Sequence, residues 1–444
     1  MNLPIPFISE IKKLLKDEFP LFLEALQENP PISIRVNNKI SLTPSDEKVA
    51  WCDDAYYLND RPLFTADPLF HAGAYYVQEA SSMFLWQVLE QWVEKDSLVL
   101  DLSAAPGGKS TLISQFLSEN GFLVSNEIVK SRAFILAENM IKWGNDNVLV
   151  CNNSPKDFRK LSSFFDVVVV DAPCSGEGMF RKDTGAINEW SEGNVLMCAE
   201  RQRDILTDVW DTLKTGGILI YSTCTYNQAE NEDNIAWVEQ ELGAEYLPID
   251  TSKFPEITVS DYGYRFFPHK TRGEGFFIAA LRKTAESPRP AKAVKKKNKS
   301  SEKPNKAIES FSKNLLNSFD WEISLENNIV SAVRKIHAET VEQLKNNLQT
   351  MHFGIALAEQ KGKDFIPHIA LALSKNLNID IQNRVEVDKE TAIRYLQKEA
   401  VHFPEAEKAY VLLTYQSLPI GWIKNIGNRS NNLYPAKWRI RMRI

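Results

Sequence analysis

Cysteine is scarce in this chain. Five occur among 444 residues, at positions 52, 151, 174, 198 and 224, and no two stand as Cys-x-x-Cys. An odd number without close pairs argues against a disulfide framework and against a structural zinc site, so no metal is expected. Long apolar runs are also missing, with nothing approaching the roughly 18 residues of a membrane span. The start, MNLPIPFISEIKKLLKDEF, lacks the basic opening and uninterrupted apolar core of a signal peptide. A soluble, cytoplasmic protein is expected. Nor is there a large excess of one charge: the net value of −6 advertises no polyanion partner for the chain as a whole. The basic residues are uneven, however. Arg282 to Lys306 holds ten Lys and Arg against two acids, and Lys408 to Ile444 holds seven with none. Such runs suit nucleic acid, although solvated linkers carry them too. The length exceeds what one hydrophobic core supports, so several domains are expected.

What is present is organised around Phe164 to Met179, FFDVVVVDAPCSGEGM. Four valines in a row, Val167 to Val170, are too few for a helix and too apolar for a half-exposed strand. They predict a strand buried on both faces of a parallel sheet. The residues that follow then lie at the sheet's carboxyl edge, where open α/β sheets bind ligands, and present Asp171, Pro173 and Cys174 in one turn. A small thiol packed as a hydrophobe is the plain alternative. A second cysteine with the same grammar weighs against it. Gly216 to Thr225, GGILIYSTCT, reads as a glycine turn, a β-branched and aromatic run, and Cys224 just past the strand end. Two thiols and a carboxylate at one crevice would form a constellation for covalent chemistry.

In chain order, apolar residues at helical spacing over 7–28, broken at Pro20, predict two short helices. Ile32, Ile34 and Val36 alternating with Ser33, Arg35 and Asn37 predict a half-buried strand. Gly73 to Val93 reads as a turn and an amphipathic helix. From Ser97, strands at Leu98 to Leu102, Phe122 to Ser125, Asn147 to Val150, Val167 to Val170 and Ile218 to Tyr221 alternate with helices such as Ser131 to Trp143 and Glu200 to Leu213. Tyr262 to Pro268 and Phe276 to Leu281 close the pattern as an antiparallel pair. A doubly wound α/β sheet is therefore expected over 95–283, after an N-terminal α+β arm over 1–94. Residues 284–306, rich in Lys, Ser, Pro and Ala, read as a linker. Beyond it a separate region, 307–444, is expected. It has short strands at Ile329 to Val333 and Ile355 to Ala358, a helix at Lys389 to Glu399, and hairpin cues at Leu418-Pro419 and Gly427-Asn428.

Directly after the first strand of the sheet comes Asp101-Leu-Ser-Ala-Ala-Pro-Gly-Gly-Lys-Ser-Thr111. A triphosphate loop, G-x-x-x-x-G-K-[ST], would need glycine where Ser103 stands. A dinucleotide fingerprint fails too, because Gly107 and Gly108 are adjacent and no G-x-G-x-x-G can be drawn. What fits is a glycine turn that lets backbone approach a ligand, followed by Glu127 at the end of the second strand. A carboxylate there can accept hydrogen bonds from both ribose hydroxyls. Without pyrophosphate features, this pattern suits S-adenosylmethionine; a structural turn with an incidental acid is the alternative.

Ala104-Ala-Pro-Gly-Gly-Lys109, Asp171-Ala-Pro-Cys-Ser-Gly176 and Ser222-Thr-Cys-Thr225, in this order, resemble the cofactor, Pro-Cys and Thr-Cys motifs of the Nol1/Nop2/Sun family of RNA cytosine-5 methyltransferases. Arg35-Val36-Asn37, Tyr76 to Ser82, Arg265 to His269 and Gly275 to Ala279 support the likeness, which covers most of the chain and points to the bacterial RsmF-like branch. Gly421-Trp422, Lys424, Asn432 to Pro435 and Trp438 are similar to the PUA-like RNA-binding extension of that branch. The resemblance implies a Rossmann-like class I methyltransferase sheet acting on small-subunit ribosomal RNA, as a monomer with RNA or the small subunit as partner. Transfer RNA is the alternative substrate. It also implies Cys224 as nucleophile, Cys174 assisting product release, and Asp171 beside cytosine and cofactor. Expected cofactor contacts are Ser103, Ala104, Ala105, Pro106, Gly107, Gly108, Lys109, Glu127, Arg132, Asn153 and Asp171. Near the adenine the family usually shows Asp, where this chain has Asn153; Asp157 is the other candidate.

Carbon 5 of cytosine is a poor nucleophile until a thiolate adds to carbon 6 and the ring's N3 is protonated or hydrogen-bonded. Afterwards carbon 5 must lose its proton to a base and the thiol must leave. Cys224, Asp171 and Cys174 suit these tasks, while Lys109 or the cofactor's sulfonium would favour the thiolate. The base must be single-stranded or flipped to enter. Tyr75, Tyr76, Phe180 and Trp190 are candidate stacking residues, and Arg181 and Lys182 candidate phosphate contacts. Two rival readings stand: a DNA cytosine methyltransferase, in which Cys174 would attack, and a catalytically silent RNA-binding assembly factor.

Overall fold

The computed structural model describes residues 1–40, 47–286, 306–317 and 319–442. Most of the expected linker, 287–305, lies outside the described residues. The four valines sit where their composition places them. The strand Phe165–Asp171 runs inside a ten-stranded sheet, parallel to Leu98–Asp101 on one side and to Leu213–Thr223 on the other. Phe122–Asn126 and Val148–Cys151 continue the parallel set beyond Leu98–Asp101. The chain thus winds outward from Leu98–Asp101, then returns to its other side with Phe165–Asp171. This reversal opens the crevice at the carboxyl ends of those two strands.

Beyond Leu213–Thr223 the sheet turns antiparallel. Phe276–Lys283 pairs with it and in turn carries Gly263–Phe266 and, along its far end, Ala244–Leu247. The Gly216-Gly217 pair, expected as a turn before the strand, lies within it. Gly216 adopts φ +80°, and a Cβ on Gly217 would stand 2.8 Å from the Asp166 carbonyl, where the register between Phe165 and Val167 shifts. Only glycine fits this bulge.

At the opposite edge the structure adds a strand from beyond the linker. Thr350–Phe353 pairs antiparallel with Val148–Cys151. Val333, Val341, Leu344 and Leu348 join the same apolar cluster as Phe122, Leu149 and Phe165, and a buried Arg334 meets Asp146 at 2.5 Å. The edge strand of a parallel sheet leaves unpaired backbone groups and an uncovered face, and this segment covers both. The rest of the C-terminal region forms two four-stranded sheets around a further apolar cluster. The hairpin between Tyr410–Tyr415 and Leu418–Asn425 turns at Gln416 and Ser417, both at positive φ, rather than at the expected Leu418-Pro419, which lies inside the second of these strands.

In the arm, the helices Ile5–Leu15 and Phe19–Ala25 break over 16–18, so Pro20 starts the second helix instead of ending the first. The strand Ile32–Val36 is the middle of three and is buried on both faces, not half-exposed. Alternation misleads here because Arg35 is fully buried: its guanidinium donates to Gln78 at 3.1 Å and Thr111 at 2.5 Å and lies over Trp143. The long helix expected up to Val93 is shorter, Leu85–Trp92, preceded by the strand Tyr75–Val77.

Candidate active site

Two strand ends bring the cysteines together. Cys174 Sγ and Cys224 Sγ are 3.2 Å apart, both partly accessible, and the Cys224 N–H points at the Cys174 sulfur at 3.4 Å. The hydrogen bond with Cys224, then burial, pushes the Cys174 thiol well above its ordinary value. The Gly178 N–H donates to the Cys224 carbonyl at 2.9 Å. A Cβ on Gly178 would strike the Gly275 carbonyl at 2.4 Å, so the two loops close only over glycine.

Glu230, which the sequence reading missed, ties these loops from below. It is fully buried and accepts from the Ser175 N–H at 2.9 Å, Gln202 at 2.8 Å and Asn227 at 2.7 Å. Burial raises its carboxyl against the pull of those donors. Glu177 does the same on the other side, accepting from the Tyr226 N–H and the Trp190 indole, both at 2.9 Å. The acid- and amide-rich stretch NQAENEDN just after Cys224 was the available signal.

Lys109, at the start of the helix Gly108–Phe116, reaches Asp171 Oδ2 at 2.8 Å, while Ser222 donates to Asp171 Oδ1 at 2.8 Å. Burial pulls the Lys109 ammonium down, but Asp171, Asp101 and Cys224 together hold it above its ordinary value.

The glycine turn is strung between strands. The Ala104 N–H donates to the Asn126 carbonyl at 2.8 Å, Arg132 and Asn139 hold the carbonyls of Ala105 and Pro106 at 2.8 and 2.7 Å, and Gly107 takes φ +121°. Ser103 and Gly108 are half-buried on the same loop. Glu127 ends the second strand almost wholly buried, with Oε1 accepting from the Val129 N–H at 2.8 Å and Oε2 3.5 Å from Arg132. Each carboxylate oxygen keeps a second lone pair for a ligand hydroxyl. A buried acceptor facing a glycine loop, with the Asp171 carboxylate for a cationic sulfur, is a donor set that fits S-adenosylmethionine.

The adenine-side candidates are otherwise engaged. Asn153 Oδ1 accepts from the Gln349 N–H at 2.9 Å, and Asp157 caps its own helical turn through Ser154 at 2.8 Å. Of the stacking candidates, Phe180 packs in the core 5.0 Å from the Phe7 ring and Trp190 is buried against Glu177. Tyr75 is held by Asp67 at 2.6 Å. Tyr76 places its hydroxyl beside Gly107, at the glycine turn. Arg181 is no phosphate contact: it is buried against Glu274 at 3.0 Å and donates to the Ala25 and Gly273 carbonyls. Lys182 lies 3.5 Å from the same Glu274.

Among the described residues no helix is long and apolar enough to cross a membrane, and no group of three metal-ligating side chains gathers. Residues 88–282 match the family described as 16S rRNA methyltransferase RsmB/F, residues 3–80 the N-terminal domain of RsmF, and residues 382–440 the RsmF PUA domain. The ribosomal RNA small subunit methyltransferase F of Enterobacter sp. (strain 638) is 32% identical over 98% of this chain and 95% of its own. That of Vibrio vulnificus (strain YJ016) is 32% identical over 98% and 97%. A methyltransferase homolog from Pyrococcus horikoshii superposes with a TM-score of 0.53 at 27% identity, covering 62% of this chain and 94% of that one. NSun6 of the same organism, solved with SFG, shares the fold at a TM-score of 0.54 and 22% identity, covering 64% and 99%. With a doubly wound sheet, paired strand-end cysteines and these relatives spanning its length, the chain belongs to the RsmF family of S-adenosylmethionine-dependent small-subunit ribosomal RNA methyltransferases.

Proposed function

We propose that this protein methylates carbon 5 of a cytosine in small-subunit ribosomal RNA through a covalent bond between Cys224 and carbon 6 of the base. The observation that carries the proposal is the pair of sulfurs 3.2 Å apart beside the Lys109–Asp171 ion pair. One sulfur can attack while the other relays a proton, and neither cysteine is in a disulfide.

S-adenosylmethionine, when bound, supplies an electrophilic methyl group. The chain's own residues do the rest. Cys224 adds to carbon 6 as a thiolate, which needs a nearby positive charge, and Lys109 provides one. Asp171, oriented by Lys109 and Ser222, holds the proton at the ring's N3 that lets carbon 5 become nucleophilic. After transfer, Cys174 passes its own proton to the departing Cys224 sulfur 3.2 Å away as it takes the proton from carbon 5; the electron pair re-forms the double bond between carbons 5 and 6, the bond from carbon 6 to Cys224 breaks, and N3 returns its proton to Asp171. Glu230 and Glu177 act through the backbone, keeping the two cysteine loops in register.

The test is to trap the intermediate. Cys174→Ala leaves attack and transfer intact but stalls elimination, so it accumulates a protein–RNA adduct that survives a denaturing gel. Cys224→Ala forms no adduct and no 5-methylcytosine. The reverse pattern would make Cys174 the nucleophile, as in the DNA enzymes.

A further inference from the structure

Asn153 occupies the place where an adenine contact is expected, yet its carboxamide faces the C-terminal region. Oδ1 accepts from the Gln349 N–H at 2.9 Å and Nδ2 donates to the Gln349 carbonyl at 3.3 Å. The same Gln349 carbonyl accepts from the Asn152 N–H at 3.0 Å. Gln349 therefore grips two consecutive residues through its backbone, immediately before the strand Thr350–Phe353 joins the sheet.

From this clamp a chain of hydrogen bonds runs into the cofactor loop. The Asn152 side chain donates to the carbonyls of Glu127 and Ile128 at 2.6 and 2.9 Å, setting the backbone of the acid assigned to the ribose. The Asn153 N–H donates to Asn126 Oδ1 at 2.9 Å. Asn126 Nδ2 in turn reaches the carbonyls of Leu102 and Asn153, both at 3.0 Å, and the Asn126 carbonyl holds the Ala104 N–H at 2.8 Å. The bonds among Asn126, Leu102 and Asn153 are buried, away from water, where a lost partner costs most. The first three strands of the sheet are thus tied at their carboxyl ends to a segment far along the chain, Asn153 and Gln349 being 196 positions apart.

We propose that Asn153 is a positioning residue for the cofactor, locked by Gln349, so that the region beyond the linker helps set cofactor affinity although it lies outside the catalytic domain in sequence. This rests on the assignment of S-adenosylmethionine to the Ser103–Gly108 loop. A carboxamide is required because it must donate to one backbone group and accept from another at once. Aspartate cannot donate to the Gln349 carbonyl and sets a charge against it.

The test is calorimetric titration of the full chain with S-adenosylmethionine, for wild type, Asn153→Ala and Asn153→Asp, together with steady-state kinetics and thermal melts. Both variants are expected to bind about tenfold more weakly and to raise the cofactor KM by a similar factor, with kcat at saturating cofactor within about twofold of wild type. A purely structural role would lower the melting temperature or kcat and leave KM alone, and that result overturns the proposal. Asn153→Asp binding as well as or better than wild type also overturns it, since it would mean that the side chain reads the adenine amino group directly. Wild type failing to bind at all would strike the cofactor assignment itself, a different failure from variants that match a binding wild type.

Discussion

Lys109 Nζ stands 2.8 Å from Asp171 Oδ2, an ion pair that bridges the helix after the first parallel strand and the end of the strand beside it. It spans the crevice where the sheet reverses direction, and Lys109 is screened from water more than its partner, with side chains 15% and 36% exposed. The pair therefore links the glycine loop to the strand end that carries Asp171 and Cys174.

Lys109→Met keeps the apolar stem and removes the charge. Asp171 then loses the partner that orients it, and the thiolate loses its cation. Methyl transfer under single-turnover conditions is expected to slow by about 100-fold, the scale of a positioned acid–base contribution. A rate within about twofold of wild type would exclude Lys109 from the chemistry.

Glu127→Ala removes a buried acceptor from the proposed ribose site. Losing charge-assisted hydrogen bonds should weaken S-adenosylmethionine by about 2 to 4 kcal/mol in a calorimetric titration. Unchanged affinity would move the cofactor away from this carboxylate.

Asp101 gives a pH signature. It is fully buried, with Ser110 donating to Oδ2 at 2.6 Å. Burial pushes its carboxyl up to about 7, against the opposing effect of Ser110 and Lys109. Between the ordinary carboxylate range and that value, the folded chain keeps a proton that the unfolded chain has lost. Stability therefore falls as pH rises through this window and levels off above it. The contribution is at most about 4 kcal/mol. Asp101→Asn should lack this slope, so denaturant melts at about pH 5 and pH 8 should converge for the variant and differ for wild type. Identical pH dependence in both would refute the assignment.

Arg334 tests the union of the C-terminal region with the sheet. It meets Asp146 at 2.5 and 3.1 Å and Glu119 at 3.0 Å, and its guanidinium lies over Phe319. Arg334→Ala leaves the buried Asp146 carboxylate with Asn376 as its remaining side-chain donor among these contacts. A loss of about 3 to 5 kcal/mol is expected in chemical denaturation. For the same reason a chain cut near Arg282 should be less stable than the intact protein, since Val341, Leu344 and Leu348 would no longer cover Phe122 and Leu149. A loss under about 1 kcal/mol for Arg334→Ala would make the contact superficial.

Much of the fold was legible because its signals are local. Val167 to Val170, the Ala104 to Lys109 turn and the alternation of strands with helices each depend on neighbours within a few residues, and all lie where their patterns place them. Arg35 defeated the same reasoning. Alternation assigns it to solvent, whereas Gln78 and Thr111, distant in sequence, give its guanidinium partners inside the protein. Arg181 failed likewise, since a basic residue after a catalytic loop looks like a phosphate contact until Glu274 and two backbone carbonyls are seen to saturate it.

By itself the sequence determined the chemical inventory: which strands form, which turn lacks phosphate features, and that two thiols and a carboxylate stand at strand ends. Those follow from backbone conformation and side-chain type, which are properties of short segments. Only the tertiary structure decided that Cys174 and Cys224 meet at 3.2 Å, that Glu230 holds their loops, and that Gln349 reaches back to Asn153. Each of these joins residues remote in the chain, and a buried polar group finds its partner only once packing has removed water from around it.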